Sequence, residues 1–240
     1  MNNTDEALGL YRTSNSIAEE RARFMSRVYS WMTAGISVSG GIAYFVGSTP
    51  ELVYTIVSNR LLFWCLIIAQ LGSVFYLSMA VQKISSKTAA AVYLLYAALT
   101  GLTLSVIFML YTQASIASVF GLTAFSFAGL SLFGSVTKRD LGPVGSFCTM
   151  GLFGMIGFGL LSIFFPDMLG GVAEQVYAAV GIVVFSGLTA YDTQKIKTMY
   201  ALGSEGTDTG RKGAIYGALT LYLDFINLFL SLLRLFGKKR

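Results

Sequence analysis

The chain has 240 residues and a net charge of +5, with 55% hydrophobic and only 12% charged residues. Soluble globular domains carry about twice that charged fraction, so the composition points away from a soluble fold. Histidine is absent, which excludes His-ligated metals and Ser-His-Asp or Cys-His catalysis. Cys65 and Cys148 lie inside apolar runs without a CxxC partner, so they read as small packing residues rather than a disulfide or metal pair.

In chain order the pattern is one apolar run after another, and about 20 helical residues cross about 30 Å of hydrocarbon. Residues 1–27 are polar and carry Arg12, Arg21, Arg23 and Arg27. This is no signal peptide, because the first apolar run comes only after that long polar lead. Ser16-Ile17-Ala18-Glu19 has capping-box spacing and predicts a helix that starts there and runs into the membrane. Spans are predicted at 28–47, 61–81, 88–111, 114–136, 144–165, 174–193 and 213–235. Pro50 and Glu51 mark the first loop, and Pro166-Asp167 ends span five. Residues 194–212 form the longest loop, with Gly203, Gly206 and Gly210 as breakers. The fold class is therefore all-α, with a single transmembrane domain over 28–236 between an N-terminal segment (1–27) and a short basic tail (237–240).

Positive charge is concentrated in the N-terminal segment, the 2–3 turn (Lys83, Lys87), the 4–5 turn (Lys138, Arg139) and the 6–7 loop (Lys195, Lys197, Arg211, Lys212). The alternate loops hold Arg60 with Glu51 and Asp167. The positive-inside rule places the N-terminus in the cytoplasm. Seven spans then put Lys238-Lys239-Arg240 outside, against the rule. Seven full spans is the preferred reading, with a re-entrant last segment as the alternative. The +5 balance follows topology and is no nucleic-acid signal. Gly35, Gly40 and Gly41 in span one, and Gly151, Gly154, Gly157 and Gly159 in span five, read as close helix-packing positions.

Of the twelve acidic residues, only Asp192 and Asp224 lie within or against apolar runs. An Asp at the bilayer centre costs about 2.5–3.5 kcal/mol, so two of them need a compensating role. Gly213, Gly217, Thr220, Asp224, Asn227, Ser231 and Arg234 recur at steps of 4, 3, 4, 3, 4 and 3. This is a small and polar seam of helical period that faces protein rather than lipid. Gly181, Phe185, Thr189 and Asp192 line span six in the same way. Asp192 lies near the inner end of its span and Asp224 about eleven residues into its own. The two meet comfortably if helix six continues toward Tyr200, with Lys195 and Lys197 snorkelling. Two carboxylates in a low-dielectric site cannot both ionise easily, so such a pair shares a proton. It is a natural pH switch, and it also offers hard oxygen ligands to Ca²⁺. The plainer reading is that each Asp holds the bundle in register by hydrogen bonding.

The segments Gly187-Leu188-Thr189-Ala190-Tyr191-Asp192-Thr193-Gln194-Lys195-Ile196 and Leu221-Tyr222-Leu223-Asp224-Phe225-Ile226-Asn227-Leu228-Phe229 closely resemble the signature segments of the Bax inhibitor family, the transmembrane Bax inhibitor motif proteins. Residues 97–103 in span three resemble it too, and the resemblance covers essentially the whole chain. It implies a seven-helix fold with the last helix central among the other six. It also implies a pH-sensitive Ca²⁺ leak gated by Asp192 and Asp224, with Thr189, Thr220, Asn227 and Ser231 as the supporting polar seam. Ca²⁺ would be the transported or regulatory ion, possible at the two aspartates, with no cofactor and no enzymatic activity. Some members latch the pair with an arginine from the second helix; span two here offers only Gln70 inside and Gln82 and Lys83 at its inner end. The short tail and lack of long extensions resemble bacterial members, placed in the cytoplasmic membrane. The partners implied are lipid, Ca²⁺ and protons.

Other classes fit less well. An intramembrane aspartyl protease needs Gly-x-Gly-Asp where this chain has Tyr222-Leu223-Asp224, and a retinal protein needs a lysine that span seven lacks. A regulator that binds other membrane proteins, such as a membrane protease or stress factor, stands as the alternative, and a calcium/proton exchanger as a lesser one.

Overall fold

The computed structural model describes residues 3–165, 170–199 and 206–240, with side chains described from Ile17 onward. Nine helices make up the described residues: α1 (Asn3–Gly47), α2 (Pro50–Ser58), α3 (Arg60–Ala80), α4 (Ser86–Leu104), α5 (Ile107–Leu110), α6 (Gln113–Val136), α7 (Gly142–Phe164), α8 (Val172–Met199) and α9 (Asp208–Phe236). Their starts are set by short polar side chains that accept hydrogen bonds from otherwise unpaired first-turn amides. Asn59 caps α3, Ser85 caps α4, Thr112 caps α6 and Thr207 caps α9. Gly206, at φ +76°, makes the left-handed turn that delivers Thr207 to its capping position.

Six helices are long and apolar enough to cross a bilayer: α3, α4 with α5, α6, α7, α8 and α9. The seven spans predicted are thus matched at six. The apolar part of α1, residues 28–47, carries serines, threonine and four glycines among its apolar residues, which lowers its hydropathy. It nevertheless runs beside α4 and α5, from Trp31 against Tyr93 of α4 to Tyr44 against Phe108 of α5.

Several boundaries differ from the sequence reading. α1 begins at Asn3, so Ser16-Ile17-Ala18-Glu19 lies inside a helix rather than at its start. Its polar lead joins the bundle without a break, since Phe24 and Met25 are buried in the core. The loop after span one contains α2, which buries Val53 and Ile56 against Val46 and Leu66. The predicted 194–212 loop is shorter, because α8 runs on to Met199 and α9 starts at Asp208. Gly210 is therefore helical and buried, not a breaker. Gly203, Tyr200, Pro166 and Asp167 lie outside the described residues.

α9 is the central helix. Of its most apolar window 61% is buried, against 11% for α3 and for α7. It packs chiefly against α8, α1, α6 and α4, whereas α3 packs on α4 and α7 on α8. The expected ring of six around the last helix is thus four neighbours with α3 and α7 in a second layer. Those two turn Leu61, Ile68, Phe75, Phe147, Met150 and Phe153 outward, the apolar surface that lipid requires. At 29 residues α9 is about 43 Å long and unbroken. Its tail pairs with the α5–α6 turn: Thr112 N donates to Lys238 O (3.1 Å) and Arg240 N to Leu110 O (3.0 Å). Lys238 N also donates to Ser115 Oγ (2.9 Å), and Lys239 reaches Glu174 at 3.3 Å. The tail therefore lies at the end of the bundle away from the basic turns, and α9 runs the length of the bundle as one helix without turning back.

Helix approach is closest where glycine meets another backbone. A Cβ on Gly134 of α6 would overlap the Ala190 carbonyl of α8, and one on Gly101 of α4 would press on Ser39 O of α1 at 2.7 Å. Of the predicted packing glycines, Gly35 and Gly151 do meet neighbours, but Gly40, Gly41, Gly154 and Gly157 face open space. Gly134→Ala is expected to destabilise the protein by about 1–3 kcal/mol through overpacking, while Gly41→Ala is neutral or stabilising by up to about 1 kcal/mol. Thermal unfolding in detergent distinguishes the two, and equal effects would contradict the α6–α8 contact.

Candidate functional site

α8 and α9 run antiparallel. Their register is fixed by Ile196 against Gly217 near the basic end and by Gly181 against Ser231 toward the other. In that register the residue of α8 level with Asp224 is close to Thr189, and Asp192 lies about one turn nearer the basic end. Side chains on a helix tilt toward that helix's own N-terminus. In an antiparallel pair the two tilts oppose, so Asp192 leans away from the basic end and Asp224 leans toward it. The one-turn offset closes, and the carboxyl groups come within interaction range of each other. The continuation of α8 past Asp192 makes this possible, as its last two turns keep the helix against α9.

Asp224 is 5% exposed and Asp192 is half-buried. Asp224 is the sixteenth residue after the start of α9 and twelve before its end, close to mid-helix. Its Oδ2 is buried without a hydrogen-bond partner. Two ionised carboxylates offer only acceptors, so nothing links them as ions. A proton or a cation between them supplies what that oxygen lacks. A buried carboxylate left without either carries a desolvation cost of several kcal/mol.

The surroundings are asymmetric. Cys148 of α7 lies near Asp224; it reaches there because Gly187 leaves room for its sulfur. Lys195 is the cation that acts on Asp192, from an exposed position with its Nζ 5.5 Å above the Tyr191 ring. Next to Asp192, toward the basic end, a hydroxyl chain ties three helices: Tyr29 Oη to Ser131 Oγ (2.6 Å) and Ser131 Oγ to Thr193 Oγ1 (2.9 Å). Gln194 accepts from Leu141 N (3.0 Å) and donates to Arg139 O (2.9 Å), and Lys197 donates to Ser135 O (2.7 Å). Beyond Asp224, toward the other end, α9 buries Phe225, Leu228, Phe229, Leu232 and Leu233 with Ser231 the one buried polar side chain. The pair thus has polar groups on one side and an apolar seal on the other.

The predicted supporting seam has a different job from the one its polarity suggested. Thr189 donates to Phe185 O (2.7 Å), Thr220 to Tyr216 O (3.2 Å), Asn227 to Leu223 O (2.8 Å) and Ser231 to Asn227 O (2.8 Å). Each hydroxyl or amide satisfies its own helix, and none of these bonds reaches an aspartate. Gln70 of α3 donates to Leu99 O and Thr103 Oγ1, both at 3.3 Å, so it is held by α4 and away from the pair. The hydroxyl chain through Ser131 and Thr193 was missed from sequence. Its residues come from three helices, and no spacing along the chain joins them.

Two carboxylates supply at most four oxygens, whereas Ca²⁺ takes six to eight. Among the described residues no cluster of three or more His, Cys, Asp or Glu side chains forms. A Ca²⁺ at the pair would need water or carbonyls to complete its shell.

The profile of the family described as inhibitor of apoptosis-promoting Bax1 matches residues 21–240, which takes in both aspartates and all of the bundle. Inner membrane protein YbhL of Escherichia coli K12 is 44% identical over 231 residues, covering 95% of this chain and 97% of the relative. An uncharacterized protein of Borreliella burgdorferi is 43% identical over 218 residues (91% of this chain, 93% of the relative). Another, from Deinococcus radiodurans, is 38% identical over 224 residues (93% and 94%). With the match running through the helices that carry the aspartate pair, the chain is a member of the Bax inhibitor family of membrane proteins.

Proposed function

We propose that the protein is a non-enzymatic, pH-sensitive calcium leak channel of the bacterial cytoplasmic membrane, gated by the proton shared between Asp192 and Asp224. The observation that carries this reading is the meeting of two carboxyl groups near the middle of the bundle, with Oδ2 of Asp224 buried and unpartnered. While one proton bridges them, α8 and α9 are held together. When it leaves, the two negative charges repel across a medium that screens them poorly. A divalent cation can then take the proton's place in passing, and Ca²⁺ is the hard cation that carboxylate oxygens suit. The apolar seal beyond Asp224 keeps the resting leak low.

The topology belongs to the same proposal: seven crossings, with residues 28–47 of α1 as the first and the N-terminus in the cytoplasm. The position of α1 beside α4 supports the seventh crossing. The collection of Lys83, Lys87, Lys138, Arg139, Lys195 and Lys197 at the starting end supports the orientation. The relative from E. coli is named as an inner membrane protein, which supports the choice of membrane.

A regulator that binds other membrane proteins is the second reading, and α1 favours it. The helix is 45 residues long, about 67 Å, more than a crossing needs. Deleting residues 1–16 separates the two, since Phe24, Met25 and Val28 in the core stay in place. Ca²⁺ flux per protein is expected to be unchanged by the deletion; flux lost with the fold intact would make the segment part of the leak itself.

The direct test is Ca²⁺ flux into liposomes from about pH 6 to 8, where paired acids can titrate. Asp192→Asn and Asp224→Asn are each expected to flatten the pH dependence while leaving the thermal transition in place. Both variants responding like the wild type would end the gating proposal. No flux at any pH would favour the regulator.

A further inference from the structure

The face of α9 that turns away from Asp224 carries a second buried polar knot. Tyr222 precedes Asp224 by two residues, about 200° around the helix, and is fully buried. Its ring stands edge-on to Tyr93 and Tyr96 of α4, with centroids 6.0 and 5.7 Å away. Its Oη lies 2.5 Å from Ser39 Oγ of α1. Ser39 Oγ is in turn 2.7 Å from Ala97 O of α4 and 3.0 Å from Gly35 O. A serine hydroxyl has one proton, and here the carbonyls are the groups that can only accept. Ser39 therefore donates to a carbonyl, and Tyr222 donates to Ser39. One hydrogen-bonded chain runs from α9 through α1 to α4, and Tyr93 Oη adds a separate tie from α4 to α1, a 3.0 Å bond to Trp31 O.

This knot is tight as well as polar. A Cβ on Gly35 would strike the Tyr93 hydroxyl and come within 3.2 Å of the Tyr222 ring. Tyr222, on the face of α9 opposite Asp224, is therefore closely packed on all sides. On the front face it meets Asp192 of α8 and Cys148 of α7, while Lys195 acts on Asp192. On the back face Tyr222 meets the hydroxyls of Ser39, Thr100, Tyr93 and Tyr96.

We infer that Tyr222 is the positioning residue that sets Asp224 against Asp192, through its hydrogen bond to Ser39. The consequence for ion flux rests on the leak proposal; the positioning itself does not. A rotation of α9 that parts the two carboxyls drags the buried Tyr222 hydroxyl away from Ser39 of α1 and Thr100 of α4, so the knot holds the pair closed.

The experiment reads position directly. In a chain with Cys65→Ala and Cys148→Ala, the pair Asp192→Cys and Asp224→Cys is introduced, and the rate of oxidative cross-linking in membranes is measured. Adding Tyr222→Phe is expected to slow cross-linking about fivefold, the worth of one net hydrogen bond. Ser39→Ala is expected to do the same, and the two together no more than either alone, because both cut one bond. Unchanged rates in both single variants, or effects that multiply, would overturn the inference; Ser39→Ala carries the test if Tyr222→Phe does not fold. In the native background Tyr222→Phe should raise the basal Ca²⁺ flux per folded protein by a similar factor. Slowed cross-linking with no flux in any form of the protein would sink the leak reading and keep the positioning role. A pH-gated flux with cross-linking untouched by either variant would do the reverse.

Discussion

The structure turns on a buried carboxyl group, Asp224, set against the half-buried carboxyl of Asp192. A bundle this apolar has little with which to compensate a charge, and no arginine side chain is among the groups found to act on either aspartate. What α8 and α9 do instead is bring the acids together, so that each becomes the other's partner whenever a proton is present. The geometry for this comes from packing: glycines at 181 and 217 set the register, and the opposed tilts of antiparallel side chains close the remaining turn. The same side-chain direction in a parallel pair would have left the offset open.

α9 is held on two faces by chemically different contacts. Toward α8 its polar groups are the aspartate and side chains that bond their own backbone. Toward α1 and α4 it is fastened by Tyr222 and Ser39. α6 joins through Phe120 and Phe127, whose rings meet Phe225 edge-on at 5.5 and 5.6 Å. Beyond this inner group, α3 and α7 spread apolar surface into lipid. The layering explains how the most buried helix can carry Asp224 and Ser231 at its centre: in lipid, polar groups are sheltered by protein, which reverses the usual arrangement of a soluble fold.

Much of this was legible in the sequence, for identifiable reasons. Span lengths follow from hydrophobic runs, and the seam at 213, 217, 220, 224, 227 and 231 follows from helical period; both are local properties. The pairing of Asp192 with Asp224 was legible because the two helices are consecutive. The extent of α8 past Asp192 was foreseen only as the condition for that pairing, since the loop was otherwise drawn from residue 194. Ser16 and Glu19 misled, because capping-box spacing also occurs within a helix and nothing local marks which case applies. Gly40 and Gly154 misled for a related reason: a glycine shows that close approach is possible, not that a neighbour is there. The Tyr222–Ser39 bond and the Tyr29–Ser131–Thr193 chain could not be read at all, since they join positions 183 and more than 60 residues apart through folds of the chain that no spacing encodes.

These distinctions bear on how such a bundle could open. A single proton supplies about 1.4 kcal/mol of bias per pH unit, and a ligand shifts an equilibrium only by its preference for one state over the other. A proton-driven gate therefore requires closed and open forms that differ by a few kcal/mol, which a helix interface laced with hydrogen bonds would not allow. Here Thr189, Thr220, Asn227 and Ser231 all bond within their own helices, so parting α8 from α9 leaves each of them satisfied. Among the described residues the polar ties near the pair join other helices: Tyr222 with Ser39, Tyr29 with Ser131 and Ser131 with Thr193, Gln194 with Leu141 and Arg139, and Lys197 with Ser135. Polar side chains that serve their own backbone give the interface its helical seam without locking it, and that is the property a small electrostatic trigger needs.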